Sequence, residues 1–277
     1  MKSFEIKNFK SIYINELKRR KKSLIVWCAA LFGITALYML LYPMVKDMFV
    51  TQMQTFPPEL MELFGMSDSS AFTDYNSYFA SIAAIIIVII SAFAVSLGGG
   101  IFREEETSGS IEFTYACAVS RTELWAAKTT AAVTIVTALI VSVTLSALVC
   151  GAISASDEIK SGVIITGMLL AYLTALLFVG IGFFAACFLK KSVKPAAVGL
   201  GILFGTYLLG YLSSIGPKGL EFLKYICPFS FLSVGDFVVS SAGIGSGAYG
   251  AAGIIIAVIL IPMLVFGSYI FYKKRDF

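Results

Sequence analysis

Long apolar runs dominate the chain, and short polar segments separate them. Six runs reach the about 20 mostly apolar residues that a membrane helix needs. They are Ser23–Tyr42, Tyr78–Phe102, Leu124–Ala152, Gly162–Leu189, Pro195–Ser213 and Tyr249–Tyr272. The runs are too long for membrane strands and lack the short alternating segments of an outer-membrane barrel. The first is no cleaved signal peptide, because no small-residue cleavage site follows it at a suitable distance. The pattern predicts an all-α, polytopic membrane protein with six transmembrane helices in one domain, residues 1–277.

Ahead of the first run the periodicity changes. On a helical wheel Ile6, Phe9, Ile12, Tyr13 and Leu17 share one arc, and Lys7, Lys10, Ser11, Asn15 and Lys18 share the other. Ile14 and Glu16 break the pattern. Residues 1–22 are therefore predicted to form an amphipathic helix in the inner headgroup layer, where lysines meet anionic lipid. The alternative is an ordinary basic flank that only sets topology.

Composition supports the bilayer. Of the 277 residues, 58% are hydrophobic and only 14% are charged, against about 25% charged in an average soluble domain. Lys and Arg are unevenly spread. Eight precede the first span, and Arg103, Arg121 and Lys128 accompany the connection between spans 2 and 3. Lys190, Lys191 and Lys194 lie between spans 4 and 5, and Lys273, Lys274 and Arg275 in the tail. The other side keeps Lys46, Lys160, Lys218 and Lys224. The bias predicts that both termini are cytoplasmic. The net charge of +4 comes from this bias, so no nucleic-acid partner is inferred.

Little of the composition suits catalysis. There is no histidine, which removes the commonest metal ligand and general base near neutral pH. Cys28, Cys117, Cys150, Cys187 and Cys227 are scattered, with no CxxC, and read as plain buried thiols. The GxxxxGK[ST], HExxH and GxSxG patterns are missing. No Asp, Glu, Lys or Arg lies deep in a span, and Lys128 sits near a helix start. Intramembrane charge is the usual mark of proton relays and ion pumps. The chain is therefore expected not to be an enzyme, and to bind no metal or cofactor of its own.

The connection 103–123 is the most informative polar segment. Glu104, Glu105 and Glu106 stand together beside the membrane, which requires solvation or a basic partner. Thr107 or Ser108 can cap a short helix, and acids at its start suit the helix dipole. Ile111 and Tyr115, four apart, then share a face suited to a groove. Ser120 and Glu123 form a capping box for the next helix. A solvated loop whose acids contact nothing explains the same residues equally well.

This segment resembles the coupling region of ATP-binding-cassette permeases of the type-2 exporter class, with the type V exporter fold. The resemblance rests on Glu104 to Glu106, Gly109-Ser110-Ile111-Glu112, Val119-Ser120-Arg121 and Lys128. Ala118 departs from the proline often found in that family. Asn15–Arg19 resembles the family's basic connecting helix. Pro57–Leu60, Phe64-Gly65, Asp74-Tyr75 and Pro228-Phe229 resemble its outer loops. The resemblance covers the whole chain. It implies two cytoplasmic ATPase subunits carrying ATP and Mg, a second permease copy, and the bacterial plasma membrane. It gives Thr107–Tyr115 the role of a coupling helix seated in a cleft of the ATPase, with Arg121 in the motif that follows.

The resemblance also implies short outer helices in residues 214–248 and a cargo path near spans 2 and 5. A helix near Pro58–Phe64 is expected in the 1–2 loop, and Phe231–Val239 is apolar enough to dip into the membrane. Phe93, Tyr207 and Tyr211 are candidate lining residues, since aromatics with a polar tip suit amphipathic cargo; lipid-facing or structural roles are the alternative. Gly201-x-x-x-Gly205 permits close helix approach. Thr130, Thr134, Thr137 and Thr144 share a face of span 3 and can bond back to the backbone or across to a neighbour. Pro262 should kink span 6, and Gly98–Gly100 can bend the end of span 2. Together these readings point to an exporter subunit for a hydrophobic or amphipathic peptide, antibiotic or lipid-like cargo. The alternatives are a gradient-driven transporter or channel, and a membrane scaffold or sensor.

Overall fold

The computed structural model describes residues 2–53, 74–104, 120–155, 159–190, 192–215, 223, 225–234, 237 and 248–274. Its helices are α1 (Lys2–Leu40), α2 (Tyr42–Met53), α3 (Tyr75–Ile101), α4 (Arg121–Ser154), α5 (Ser161–Phe188), α6 (Pro195–Ile215), α7 (Pro228–Phe231) and α8 (Ala248–Lys274). Among the described residues, six helices are long and apolar enough to cross a membrane, and they overlie the six predicted runs. The chain is a multi-pass, all-helical membrane protein. The predicted helix near Pro58–Phe64 lies outside the described residues.

The predicted amphipathic segment, residues 1–22, and the start of the first span form one continuous helix. α1 runs unbroken for 39 residues, about 58 Å at about 1.5 Å per residue. That is about twice the hydrocarbon thickness of about 30 Å, so roughly half of α1 extends beyond it. No proline or glycine stands at Lys22 to end a helix; Gly33 is the only glycine in α1.

α1 lies against α4, and their chain directions match. The Ser142, Ser146 and Ser154 hydroxyls donate to the carbonyls of Cys28, Phe32 and Met39 at 3.2, 2.9 and 3.1 Å. The threonine face of α4 does both things expected of it. Thr130, Thr134, Thr137 and Thr144 donate to carbonyls four residues back. Thr134 and Thr137 also reach the hydroxyls of Tyr13 and Tyr172, at 3.1 and 2.9 Å.

α3 and α5 make the tightest crossing. A Cβ added at Gly98 would stand 2.5 Å from the Val179 carbonyl oxygen, and one at Gly182 would stand 2.6 Å from that of Val95. Only glycine lets two backbones approach so closely. Gly98 thus serves contact rather than a bend, and α3 continues to Ile101. Gly201 and Gly205 face open space, so the close approach predicted for them is not made among the described residues. α8 continues through Pro262 as one helix.

At the opposite end from the basic clusters, Asp74 caps α3 by accepting from the Ser77 backbone N–H at 3.0 Å. Tyr42, Tyr75 and Tyr78 cluster there. α7 and the residues after it tuck inward, with Phe231, Leu232 and Val234 buried, while Tyr225 and Ile226 face outward. Cys227 is buried beside α7, and burial pushes its thiol pKa up. Cys28, Cys150, Cys187 and Cys227 are free thiols.

Candidate functional site

The charged residues at the basic end are not all solvated flanks. Glu16, which breaks the amphipathic pattern of α1, is only 5% exposed, and Lys128 on α4 is 1% exposed. Lys128 Nζ lies 3.8 Å from Glu16 Oε1 and donates to the Ile101 carbonyl at 3.0 Å. It also sits over the Phe102 ring, 6.0 Å from the centroid. Arg20, one turn after Glu16, approaches it at 3.6 Å. Arg20 also bonds Glu104, which Arg19 reaches at 3.6 Å. A chain of opposite charges therefore runs from α4 through α1 to the residues that follow α3.

Two arginines pin the same region to helix C-termini. Arg103, only 7% exposed, donates from Nε to the Ala186 carbonyl at 3.1 Å. Its Nη2 reaches the carbonyls of Leu189 and Lys190. Arg121 Nη1 donates to the Lys273 carbonyl at 3.0 Å. Cations suit these positions because terminal carbonyls lack intrahelical donors and carry the negative end of the dipole. The predicted capping box is present. Glu123 N donates to Ser120 Oγ at 3.2 Å, and Ser120 N donates to Glu123 Oε2 at 3.0 Å. Thr122 and Trp125 add bonds to Tyr269 and Ser268 of α8.

The stems of the 105–119 connection are thus fixed on different helices: 101–104 on α1, α4 and the end of α5, and 120–125 on α8. Of the predicted coupling residues, Glu104 and Arg121 are in these stems. Glu105, Glu106, Thr107, Gly109, Ser110, Ile111, Glu112 and Tyr115 lie outside the described residues.

The predicted path residues have different neighbours. Phe93 meets Trp27 with ring centroids 5.1 Å apart. Both line a cavity of about 430 Å³ between α1, α3, α4 and α6, with Arg20 and Ser23 among its walls. Leu200 is the α6 residue that lines it. Tyr207 packs edge-on to Phe229, centroids 5.6 Å apart, and Tyr211 is 60% exposed; neither lines that cavity.

The apolar arc of α1 is partly turned inward. Phe9 stacks on Tyr13 with centroids 6.4 Å apart, Tyr13 bonds Thr134, and Leu17 packs against the core. The side chain of Ile6 lies outside the described residues. Sequence reasoning missed the roles of Glu16 and Arg103. The one available signal was Glu16 standing among apolar and basic neighbours, one turn before Arg20.

Residues 16–233 match the family described as the multidrug efflux system permease Rv1217c, C-terminal domain. The chain belongs to this family. The match includes the Glu16–Lys128 pair, both stems and the 105–119 connection. Comparison with curated proteins gives no match. Membership of the permease family and the six apolar helices make this chain a membrane permease subunit of an efflux system. The charge network is accordingly a candidate transmission site, and the Trp27–Phe93 cavity a candidate cargo-binding site.

Proposed function

We infer that this permease is the membrane subunit of an ATP-driven exporter, with ATP and Mg bound on separate cytoplasmic subunits. Two copies of the chain and two ATPase subunits form the working unit, both termini are cytoplasmic, and the chain itself is not an enzyme. The cargo is hydrophobic or amphipathic, and it leaves the cell. The observation that carries this reading is the anchoring of both stems of the 105–119 connection to four different helices. A push on that connection would be felt across the bundle. The acidic residues Glu105, Glu106 and Glu112 then offer a basic ATPase groove its partner.

The cavity supports the cargo class, since its aromatic and aliphatic walls suit an apolar body. A gradient-driven mechanism has less support. Among the described residues, the buried ion pair lies at the basic end rather than at mid-membrane depth.

The test is co-purification followed by reconstitution in sealed vesicles with a fluorescent amphipathic dye. A stoichiometric ATPase is expected to accompany the chain, and dye should move only with ATP. Dye movement by the isolated chain without nucleotide would overturn the proposal.

A further inference from the structure

We propose that the seam between the C-terminal ends of α5 and α8 binds a phospholipid with a net negative headgroup, an acyl chain lying on Phe188 and Phe271 and the headgroup between Lys190 and Lys274. Phe184, Phe188 and Phe271 form one ring cluster across the seam. Their centroids are 5.5 Å apart for Phe184–Phe188, 5.7 Å for Phe184–Phe271 and 5.3 Å for Phe188–Phe271. Phe184 is also seated on α8 at Gly267, where an added Cβ would stand 3.3 Å from its ring. Phe188 and Phe271 nevertheless remain 58% and 38% exposed. Both stand near the ends of membrane spans, so lipid meets their open faces. The cluster offers an acyl chain an apolar floor whose rings are already held by one another.

Charge selects the headgroup. A lysine at a helix C-terminus ordinarily serves the terminal carbonyls. Here arginines from elsewhere in the fold do so. Arg103 holds the carbonyls of Ala186, Leu189 and Lys190, and Arg121 holds that of Lys273. Lys190 and Lys274 are exposed, and among the described residues their ammonium groups make no ion pair. Lys190 follows Phe188 by two residues. Lys274 follows Phe271 by three, which puts it on the same face of α8. The adjoining segments 189–195 and 272–277 add Lys191, Lys194, Lys273 and Arg275 against Asp276 alone. Basic residues between spans at the membrane surface attract anionic headgroups. An acidic protein partner would meet these lysines from solution and leave the rings within the spans uncovered. The inference requires the membrane assignment but not an ATP-driven partner.

The full chain with and without Phe188→Trp would be reconstituted in phosphatidylcholine vesicles. The difference in fluorescence reports on position 188, since the native Trp27 and Trp125 are common to both. Phosphatidylglycerol or phosphatidylcholine, each brominated high on the acyl chain, would then be titrated in. Phosphatidylglycerol should quench at about fivefold lower mole fraction, the scale of one headgroup–cation attraction. Lys190→Gln with Lys274→Gln should erase that preference, and Lys190→Arg with Lys274→Arg should keep it. Lys18→Gln with Lys22→Gln removes the same charge from α1 at the same end of the bundle and should also keep it. Phe271→Ala leaves the charges alone and should weaken quenching by phosphatidylglycerol. Equal quenching by both lipids overturns the proposal. So does a preference that survives the Lys190 and Lys274 glutamines, one that is lost equally in the α1 variant, or quenching unchanged in Phe271→Ala. The assay contains no ATPase and no cargo, so its failure leaves the transport reading standing, and the reverse also holds.

Discussion

Lys128 of α4 points its ammonium at the Glu16 carboxylate of α1 across 3.8 Å, with both side chains buried. Desolvation makes such a pair weak as a source of net stability. Losing one member is a different matter, because the other stays buried with one counter-charge fewer. Glu16→Gln or Lys128→Met alone should destabilise the permease by about 3–5 kcal/mol. The double variant should lie much closer to the parent. Thermal unfolding of the four proteins in detergent, arranged as a double-mutant cycle, measures the coupling; additive losses would refute the pairing.

Arg103 holds three carbonyls at the end of α5. Arg103→Met strands them and should cost about 3 kcal/mol. Arg103→Lys should recover only part of this, since an ammonium lacks the fork that spans separate acceptors. Thermal unfolding gives the ranking. Hydrogen exchange should show protection lost first around 185–189.

The α3–α5 crossing predicts a contrast between glycines. Gly98→Leu drives a side chain into the Val179 carbonyl and should destabilise by at least about 3 kcal/mol. Gly201→Leu points into open space and should stay within about 0.5 kcal/mol of the parent. Equal melting temperatures for the two variants would contradict this crossing.

Ser120→Ala removes one half of the capping box at the start of α4. The expected loss is about 1 kcal/mol. Ser120→Asp, which can accept the same bond, should restore most of it in the same unfolding assay.

The proposed coupling role makes a functional prediction. Gly109→Pro or Glu112→Lys should leave the permease folded, with the parent's melting temperature and elution. Both should abolish ATP-dependent transport and transport-stimulated ATP hydrolysis. Parental activity in both variants would remove the coupling role from this segment.

The six membrane helices were legible because length and apolarity alone decide them. The box at Ser120 and Glu123 was legible because its parts stand three residues apart. The fate of Glu16 was not. On a wheel it only interrupts a pattern, and its partner lies on another helix. Arg103 was counted as a topology charge, since sequence gives its sign but not the helix end beside it. The GxxxG pattern drew attention to α6, whereas the glycines that touch are divided between α3 and α5. Periodicity describes one helix at a time, and these features belong to pairs. Phe93, Tyr207 and Tyr211 were grouped by residue type, and their neighbours were not legible: Phe93 meets Trp27, and Tyr207 meets Phe229.

The serine bonds between α1 and α4 carry a mechanical consequence. Ser142 and Ser146 are one turn apart, as are their acceptors on Cys28 and Phe32. Sliding α4 by one turn, about 5.4 Å, would bring Ser142 to the Phe32 carbonyl, whereas a half-turn slide would offer its hydroxyl no matching acceptor. The two helices are thus toothed against each other, so any slide between them would be favoured in steps of about one helical pitch.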